Sequence, residues 1–118
     1  MPAHLDTGRR GEDLAARLLS EKGYEILSRN FRAGRAEIDL IARKDGLLIF
    51  VEVKTRTNLA FGMPETAVSA RKAALVRQAA DAYIFSTDWH HNIRYDVVAV
   101  VLAPGREPEI EHFEDAFF

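Results

Sequence analysis

Four charged residues interrupt two hydrophobic segments that follow one another closely in the sequence. Glu37 and Asp39 lie in the first segment, and Glu52 and Lys54 lie in the second. Charges within an otherwise apolar strand are costly to desolvate unless something compensates them. Two carboxylates can share a proton or bind a divalent cation, and Mg²⁺ is typically held by one or two carboxylates with water and phosphate oxygens completing its shell. These residue types therefore suit a divalent-metal site with access to phosphate.

The turn between the two segments sets how the four charges meet. Asp45-Gly46 suits a two-residue β-hairpin turn, in which the numbers of paired residues sum to 91. Asp39 then lies opposite Glu52, and Glu37 lies opposite Lys54. Because side chains alternate along a strand, these four share one face of the hairpin. The other face is predicted to point to the core with Ala36, Ile38, Leu40, Leu47, Ile49, Val51 and Val53.

Two interpretations of this arrangement are open from the residues alone. Directly opposed carboxylates lie about 5 Å apart and repel by roughly 3 kcal/mol at an effective dielectric near 20, and a bound cation would relieve this repulsion. The alternative is a solvated sheet face with a Glu37–Lys54 ion pair and an acidic neighbour. Glu12, at the edge of the apolar stripe of a predicted helix, either points at the sheet or is a first-turn carboxylate favoured by the helix dipole.

Hydrophobic periodicity predicts an α/β domain with the element order α-β-β-β-α-β. A first helix from Thr7 to about Lys22 ends at Gly23, and three strands of a meander follow. The third strand, the second helix and the fourth strand can form a βαβ unit, which gives a mixed sheet with helices packed on it. The predicted strands are 24–31, 36–43, 47–54 and 93–102, the second helix is 69–85 after a loop over 55–65, and 110–118 is a short edge strand or an ordered tail.

Composition limits the class of protein. The 118 residues suit a single domain, and there is no cysteine. No segment is apolar enough for a membrane span or a signal peptide, so we expect a cytoplasmic protein with no membrane partner. Residues 1–80 carry a net charge of +4 and residues 81–118 one of −6. This asymmetry is that of a basic working face with an acidic C-terminal tail over 103–118, although chance gives it as well.

The ordered set of motifs resembles a known superfamily. The segments "GRRGEDLAARLL", "GYEILSRNFR", "AEIDLI", "FVEVKTR" and "RYDVVAV" are similar to those of PD-(D/E)XK nucleases. The closest resemblance is to the small bacterial YraN-like family of uncharacterised proteins, which is related in pattern to archaeal Holliday-junction resolvases. It covers about residues 7–102 and implies the restriction-endonuclease-like αβββαβ core. Two positions depart from the pattern, because Ile38 stands in place of the proline and Ala36 in place of a glycine.

The resemblance also implies a function, namely a metal-dependent nuclease that hydrolyses phosphodiester bonds in DNA, including branched or structured DNA. By this resemblance Asp39, Glu52 and the backbone carbonyl of Val53 would bind Mg²⁺ or Mn²⁺. Lys54 would position or activate the attacking water. Glu12 would stand in for the helix carboxylate that supports the metal site in resolvase-like members.

The implied partner is nucleic acid, DNA before RNA. Glu37 matches a family position of accessory role. Basic residues would hold the nucleic-acid backbone largely without reading its sequence. They are Arg9, Arg10, Arg32, Arg35, Arg56, Arg71 and Lys72. Junction-resolving relatives act as dimers because two strands must be cut, so a homodimer is an expectation. The competing interpretation is a catalytically silent module that binds nucleic acid or a partner on the same fold.

Overall fold

The computed structural model describes residues 3–57 and 68–117, and these ranges form two helices and a five-stranded sheet. The elements are α1 (Ala3–Glu21), β1 (Glu25–Ala33), β2 (Ala36–Lys44), β3 (Leu47–Arg56), α2 (Ala70–Thr87), β4 (Ile93–Val101) and β5 (Glu109–Phe117). The predicted α-β-β-β-α-β order is confirmed, and the last segment is a fifth strand. Most of the predicted loop before α2 lies outside the described residues. Neither α1 nor α2 combines the length and the apolarity that a membrane span requires.

Local backbone chemistry sets the ends of the two helices. α1 ends just before Gly23, whose φ of 91° is in the left-handed region that favours glycine. The predicted start of this helix at Thr7 is wrong, because the chain is already helical from Ala3 and Thr7 lies one turn inside. α2 begins after Ser69, whose side-chain oxygen accepts a hydrogen bond from the Lys72 backbone N–H at 3.1 Å.

The strands are ordered β1-β2-β3-β4-β5 across the sheet. β1, β2 and β3 form the predicted antiparallel meander, β4 runs parallel to β3, and β5 is antiparallel to β4. The turn between β2 and β3 has positive φ at both Asp45 (51°) and Gly46 (76°), as a type I′ turn requires. Leu40 lies opposite Val51, so the predicted register is confirmed from the turn to this pair, where the backbone ladder ends. The predicted pairs Asp39–Glu52 and Glu37–Lys54 lie beyond the ladder, and Glu37 pairs with Arg32 of β1 instead.

One helix covers each face of the sheet. α2 packs Val76 and Ala79 into a core that includes Phe50 of β3. α1 packs Ala15 and Leu19 into a second core on the other face, which holds most of the residues predicted to point inward from the hairpin: Leu40, Leu47, Ile49, Val51 and Val53. A sheet buried on both faces explains why its central strands are apolar almost throughout.

The strand β2 changes face at Asp39. Ala36 and Ile38 belong to the α2 core, whereas Leu40 belongs to the α1 core, so the prediction that these three share one face is wrong. Strand β1 contains Asn30 at the level of Asp39, and Asn30 has a φ of 54°. Both strands therefore depart from regular strand geometry at the level of Asp39.

Strand β5 forms one edge of the sheet and is joined to β4 by a buried cluster of polar groups. The carboxylate of Asp96 is fully buried, and both of its oxygens accept hydrogen bonds from the Arg94 guanidinium at 2.8 Å. His112 Nε2 lies 2.7 Å from the same carboxylate, and the Asp115 N–H donates to it at 3.0 Å. Lys22 Nζ completes the cluster at 2.5 Å from His112 Nδ1. The exposed side of β5 is acidic and carries Glu109, Glu111, Glu114 and Asp115.

Candidate active site

The strands β2 and β3 part at the predicted site. Their backbone ladder ends at Leu40–Val51, whereas β3 continues along β4 to its end. Past the ladder, the Val53 N–H donates a hydrogen bond to Oδ2 of Asp39 at 2.8 Å. A side chain of β2 thus replaces its backbone as the partner of β3. Asp39 and Glu52 meet where the two strands separate.

Glu52 is a strongly perturbed carboxyl. Its side chain is 14% exposed, and its Oε2 is buried with no hydrogen-bond partner among the described residues. Burial and the negative charge of Asp39 raise the pKa of Glu52 to about 7. Burial also raises the pKa of Asp39, although the hydrogen bond from Val53 opposes this rise. A cation between the two carboxylates would relieve both effects.

The positive charges of two lysines influence the pKa values of the Asp39 and Glu52 carboxyls. Lys72 Nζ lies 3.7 Å from Oε1 of Glu52. Its positive charge offsets part of the rise in pKa that burial causes at both Asp39 and Glu52. The charge of Lys54 does the same at Glu52 to a smaller extent. Sequence reasoning assigned Lys54 to the site and Lys72 to nucleic acid, and the structure brings both close to Glu52.

The backbone of Val53 also faces the gap. Its N–H points to Asp39, and in an antiparallel ladder the N–H and C=O of one residue point to the same neighbouring strand. The carbonyl of Val53 is therefore directed toward the space beside Asp39, as a metal ligand at this position would have to be.

Glu12 approaches the site from α1. The Glu12 side chain is 19% exposed beside β1, and α1 already begins at Ala3, so of its two predicted positions Glu12 occupies the one toward the sheet. Burial and the negative charge of Asp39 raise the pKa of Glu12. Arg29 of β1 lies 3.9 Å from Glu12. Glu37 forms a cross-strand ion pair with Arg32 at 2.9 Å. Arg29 was not among the predicted residues, because the sequence of β1 shows nothing that distinguishes it from an exposed strand arginine.

A close contact between α1 and β3 fixes the position of Glu12. A Cβ atom on Gly11 would lie 2.0 Å from Oγ1 of Thr55 and 3.0 Å from the Cβ and Cγ2 atoms of the same residue. Only glycine fits this approach. Because Gly11 precedes Glu12 and Thr55 follows Lys54, the contact holds the Glu12 carboxylate at a set position relative to β3.

The predicted nucleic-acid contacts divide into groups. Arg9 and Arg32 line a cavity of about 640 Å³ between α1 and β1, together with Arg29 and Glu12. Lys72 contacts Glu52 instead. Arg56 is half-buried at the end of β3. The remaining predicted residues have exposed side chains, namely Arg10, Arg35 and Arg71. The structure thus gathers two of the seven predicted residues with Arg29 at one cavity.

The donor set fits a hard divalent cation with an open coordination shell. Within residues 3–57 and 68–117, no group of three or more His, Asp or Glu side chains forms a closed metal site. Mg²⁺ does not require one, because it keeps several waters and shares phosphate oxygens with its substrate. Asp39, Glu52 and the Val53 carbonyl supply oxygen ligands, and the unpartnered Oε2 of Glu52 is an available one.

Known proteins match this chain over nearly its whole length. The model of "Uncharacterised protein family UPF0102" matches residues 11–100. A UPF0102 protein of Flavobacterium psychrophilum is 45% identical over 118 residues, which cover 100% of this chain and 98% of that protein. One from Rhodococcus opacus is 45% identical over 118 residues, covering 99% and 100% of the two chains. One from Trichlorobacter lovleyi is 46% identical over 112 residues, covering 93% and 88%. The chain therefore belongs to the uncharacterised protein family UPF0102, the YraN-like family whose motifs it carries.

Proposed function

We propose that this protein is a metal-dependent nuclease that hydrolyses phosphodiester bonds in DNA. The observation that carries the proposal is the Asp39–Glu52 pair where β2 and β3 part, with one Glu52 oxygen buried and unpartnered among the described residues. A structural ion pair would satisfy that oxygen, and a solvated sheet face would expose it. A divalent cation would use that oxygen as a ligand.

The residues have separable roles in this reaction. Asp39, Glu52 and the carbonyl of Val53 would hold the ion. When bound, Mg²⁺ or Mn²⁺ supplies a Lewis acid that polarises the phosphodiester and acidifies a water. Lys54, whose charge already acts on Glu52, orients the attacking water and stabilises the negative charge that develops on the phosphate oxygens. Glu12 adds a carboxylate from α1 within the field of Asp39.

The basic residues hold the DNA backbone. Arg9, Arg29 and Arg32 line the cavity next to Glu12, and guanidinium groups bind phosphates in a planar, two-point geometry. Such contacts position a strand without reading its bases, so the shape of the DNA selects the substrate. The resemblance to junction resolvases extends the proposal to branched or structured DNA as the substrate. It also extends the proposal to a cytoplasmic homodimer, in which each copy cuts one strand.

A substrate panel tests the proposal. Purified protein is incubated with labelled linear, flapped, forked and four-way DNA and with structured RNA, in Mn²⁺, in Mg²⁺ and in chelator. We expect at least one DNA to be cut in the presence of metal and none in chelator. Asp39→Asn and Glu52→Gln each abolish cutting and divalent-ion binding, while Asp39→Asn keeps a side-chain oxygen for the Val53 hydrogen bond.

The matched control is Asp88→Asn, which removes an exposed carboxylate at the end of α2 and leaves cutting unchanged. Retardation of DNA in a gel without cutting and without a metal requirement would favour the silent binding module instead. Metal-dependent cutting that survives both Asp39→Asn and Glu52→Gln would remove the acid pair from the mechanism.

A further inference from the structure

Lys72 occupies a position that disfavours a cation unless an acidic partner is near. It lies in the first turn of α2, which carries no acidic residue and in which Arg71 and Lys72 are adjacent. The N-terminal end of a helix has partial positive charge, so cations there are destabilising on their own. The Ser69 cap, which accepts a hydrogen bond from the Lys72 N–H, holds the Lys72 backbone in this turn.

The acid pair is the partner that makes this position favourable. Lys72 Nζ is 3.7 Å from Oε1 of Glu52, and its charge also lowers the pKa of Asp39 against the rise caused by burial. The Lys72 side chain is 42% exposed, so it spans from the buried carboxylates to solvent. Oε2 of Glu52 has no hydrogen-bond partner in the described chain, so the ammonium satisfies the pair only in part.

We propose that Lys72 is the resident counter-ion of the Asp39–Glu52 pair, that it competes with the divalent cation, and that it moves out when the cation binds. The inference rests on the proposed function. A hard cation about 2 Å from a Glu52 oxygen would lie within a few ångströms of the ammonium, where two positive charges repel. The flexible, half-exposed stem of Lys72 gives the ammonium a path to solvent.

This exchange couples metal binding to substrate binding. An ammonium displaced from Glu52 needs a new anionic partner, and the phosphate of an incoming strand is one. A strand that binds Lys72 therefore removes the competitor of the metal, and by linkage the metal strengthens binding of the strand. Lys72 thus keeps the metal affinity low until nucleic acid is bound.

A Mg²⁺ titration without nucleic acid tests the competition. Binding is followed by amide chemical shifts at the same mildly alkaline pH for every protein. We expect Lys72→Met to bind Mg²⁺ between about threefold and tenfold more tightly than wild type, the scale of a partly exposed ion pair. Arg71→Met removes a neighbouring exposed cation and changes the affinity less than about twofold.

Chemical modification of the wild-type protein gives an independent measurement. We expect Mg²⁺ to raise the rate at which an acylating reagent modifies Lys72 by about threefold or more, because the amine is released from its ion pair. Lys44, whose Nζ donates to the Lys22 carbonyl at 2.7 Å, is the internal control and keeps its rate. Equal or weaker Mg²⁺ affinity in Lys72→Met, with unchanged Lys72 reactivity, overturns the inference and leaves the metal site standing. Absence of saturable Mg²⁺ binding to the wild type overturns both.

Discussion

Glu52 has two carboxylate oxygens in different surroundings. One faces the ammonium of Lys72, and the other is buried without a hydrogen-bond partner among the described residues. This asymmetry shows why the strand interior carries an acid at all, since neither a fully paired nor a solvated carboxylate would have its pKa raised to about 7. At the scale of single residues, the site holds an acid near its titration point and two lysines that keep it from full protonation.

The raised pKa of Glu52 predicts how stability depends on pH. The carboxyl titrates near 4.5 when unperturbed and near 7 in the folded protein. Between these values the folded state binds more protons, so the stability that this group contributes is fully present below about pH 4.5 and is lost as pH rises through about 7. In chelator we expect Glu52→Gln to match wild type near pH 4.5 and to exceed it by about 1–3 kcal/mol at pH 8.

Chemical denaturation at the two pH values measures this difference. Carboxyls away from the site contribute to both proteins alike, so the comparison reports the Asp39–Glu52 pair as a whole. Addition of Mg²⁺ at pH 8 is expected to stabilise the wild type and to leave Glu52→Gln unchanged, because only the wild type retains the full ligand set. A variant whose advantage is the same at both pH values would contradict the raised pKa.

Substitution of Lys54 distinguishes a catalytic role of this residue from a purely structural one. If it acts on the water and the phosphoryl oxygens, Lys54→Met lowers the single-turnover cutting rate by at least about a hundredfold while DNA binding falls only modestly. If it is a cross-strand partner only, the change costs roughly 0.2–1 kcal/mol of stability and leaves cutting alone. Arg71→Ala is the comparison: if Arg71 contacts a phosphate, as the sequence predicts, its loss weakens DNA binding and reduces the salt slope by about one. If Lys54→Met saturated with DNA cuts as fast as the wild type, the role of Lys54 is structural.

At the scale of elements, the Asp45-Gly46 turn is the part of the site that sequence reasoning could predict fully. Two residues with positive φ fix the register of a hairpin, and this register brings Asp39 and Glu52 to the end of the β2–β3 ladder, one residue past Leu40–Val51. The change of face at Asp39 could not be predicted, because the alternation of β2 in the sequence shows no break at this point. The sequence also does not show which residues that are distant in the chain come into contact in the folded protein.

Lys72 and Asp96 illustrate the same limit. Lys72 reaches Glu52 because α2 packs over the sheet in one particular orientation, which no local pattern encodes. The apolar surroundings of Asp96 in the sequence identify a strand, but its principal partner, His112, lies on β5, which sequence reasoning left open between a strand and a tail. In each case the missing information is the packing of distant elements.

The contact between α1 and β3 predicts opposite effects for two glycines of the same helix. Alanine is the better helix former, so Gly8→Ala, with open space around its Cβ position, is expected to stabilise by about 0.5–1 kcal/mol. Gly11→Ala places a Cβ 2.0 Å from the Thr55 hydroxyl and forces α1 away from β3. We expect it to destabilise by about 1–3 kcal/mol, the usual cost of overpacking.

Thermal unfolding of the two variants in parallel measures the contrast. Gly8→Ala controls for helix propensity, so the difference between the variants reports the steric term. A Gly11→Ala protein that is as stable as Gly8→Ala would show that α1 does not approach β3 this closely.

At the scale of the whole molecule, the Asp96 cluster joins elements from the two ends of the chain. Asp96 and Arg94 lie on β4, His112 lies on β5, and Lys22 follows α1. Burial alone would raise the pKa of Asp96, but the hydrogen bonds from His112 and Arg94 outweigh it, so the pKa lies below its ordinary value. The cluster therefore stabilises the fold in the ionised form.

We expect Asp96→Asn to destabilise the protein by about 3–5 kcal/mol at pH 7, because it breaks a buried ion pair and leaves the Arg94 guanidinium uncompensated. The contribution of a carboxyl with a lowered pKa is present above its unfolded value and is lost as pH falls through the folded one, so the deficit shrinks in acid. Denaturant unfolding at pH 7 and in acid measures it. Asp88→Asn, an exposed change, stays within about 0.5 kcal/mol of wild type, and an equally small effect at Asp96 would contradict the role of the cluster.

The acidic outer side of β5 has a consequence for self-association. An uncovered edge strand offers its backbone to a strand of a second molecule, which is the first step toward sheet extension and fibril growth. Two β5 strands laid edge to edge would bring together rows of carboxylates from Glu109, Glu111 and Glu114, and the left-handed φ of 53° at Asp115 bends the end of that edge. This edge is therefore protected against aggregation. If the protein forms the proposed dimer, we expect its two copies to associate through a surface other than this edge.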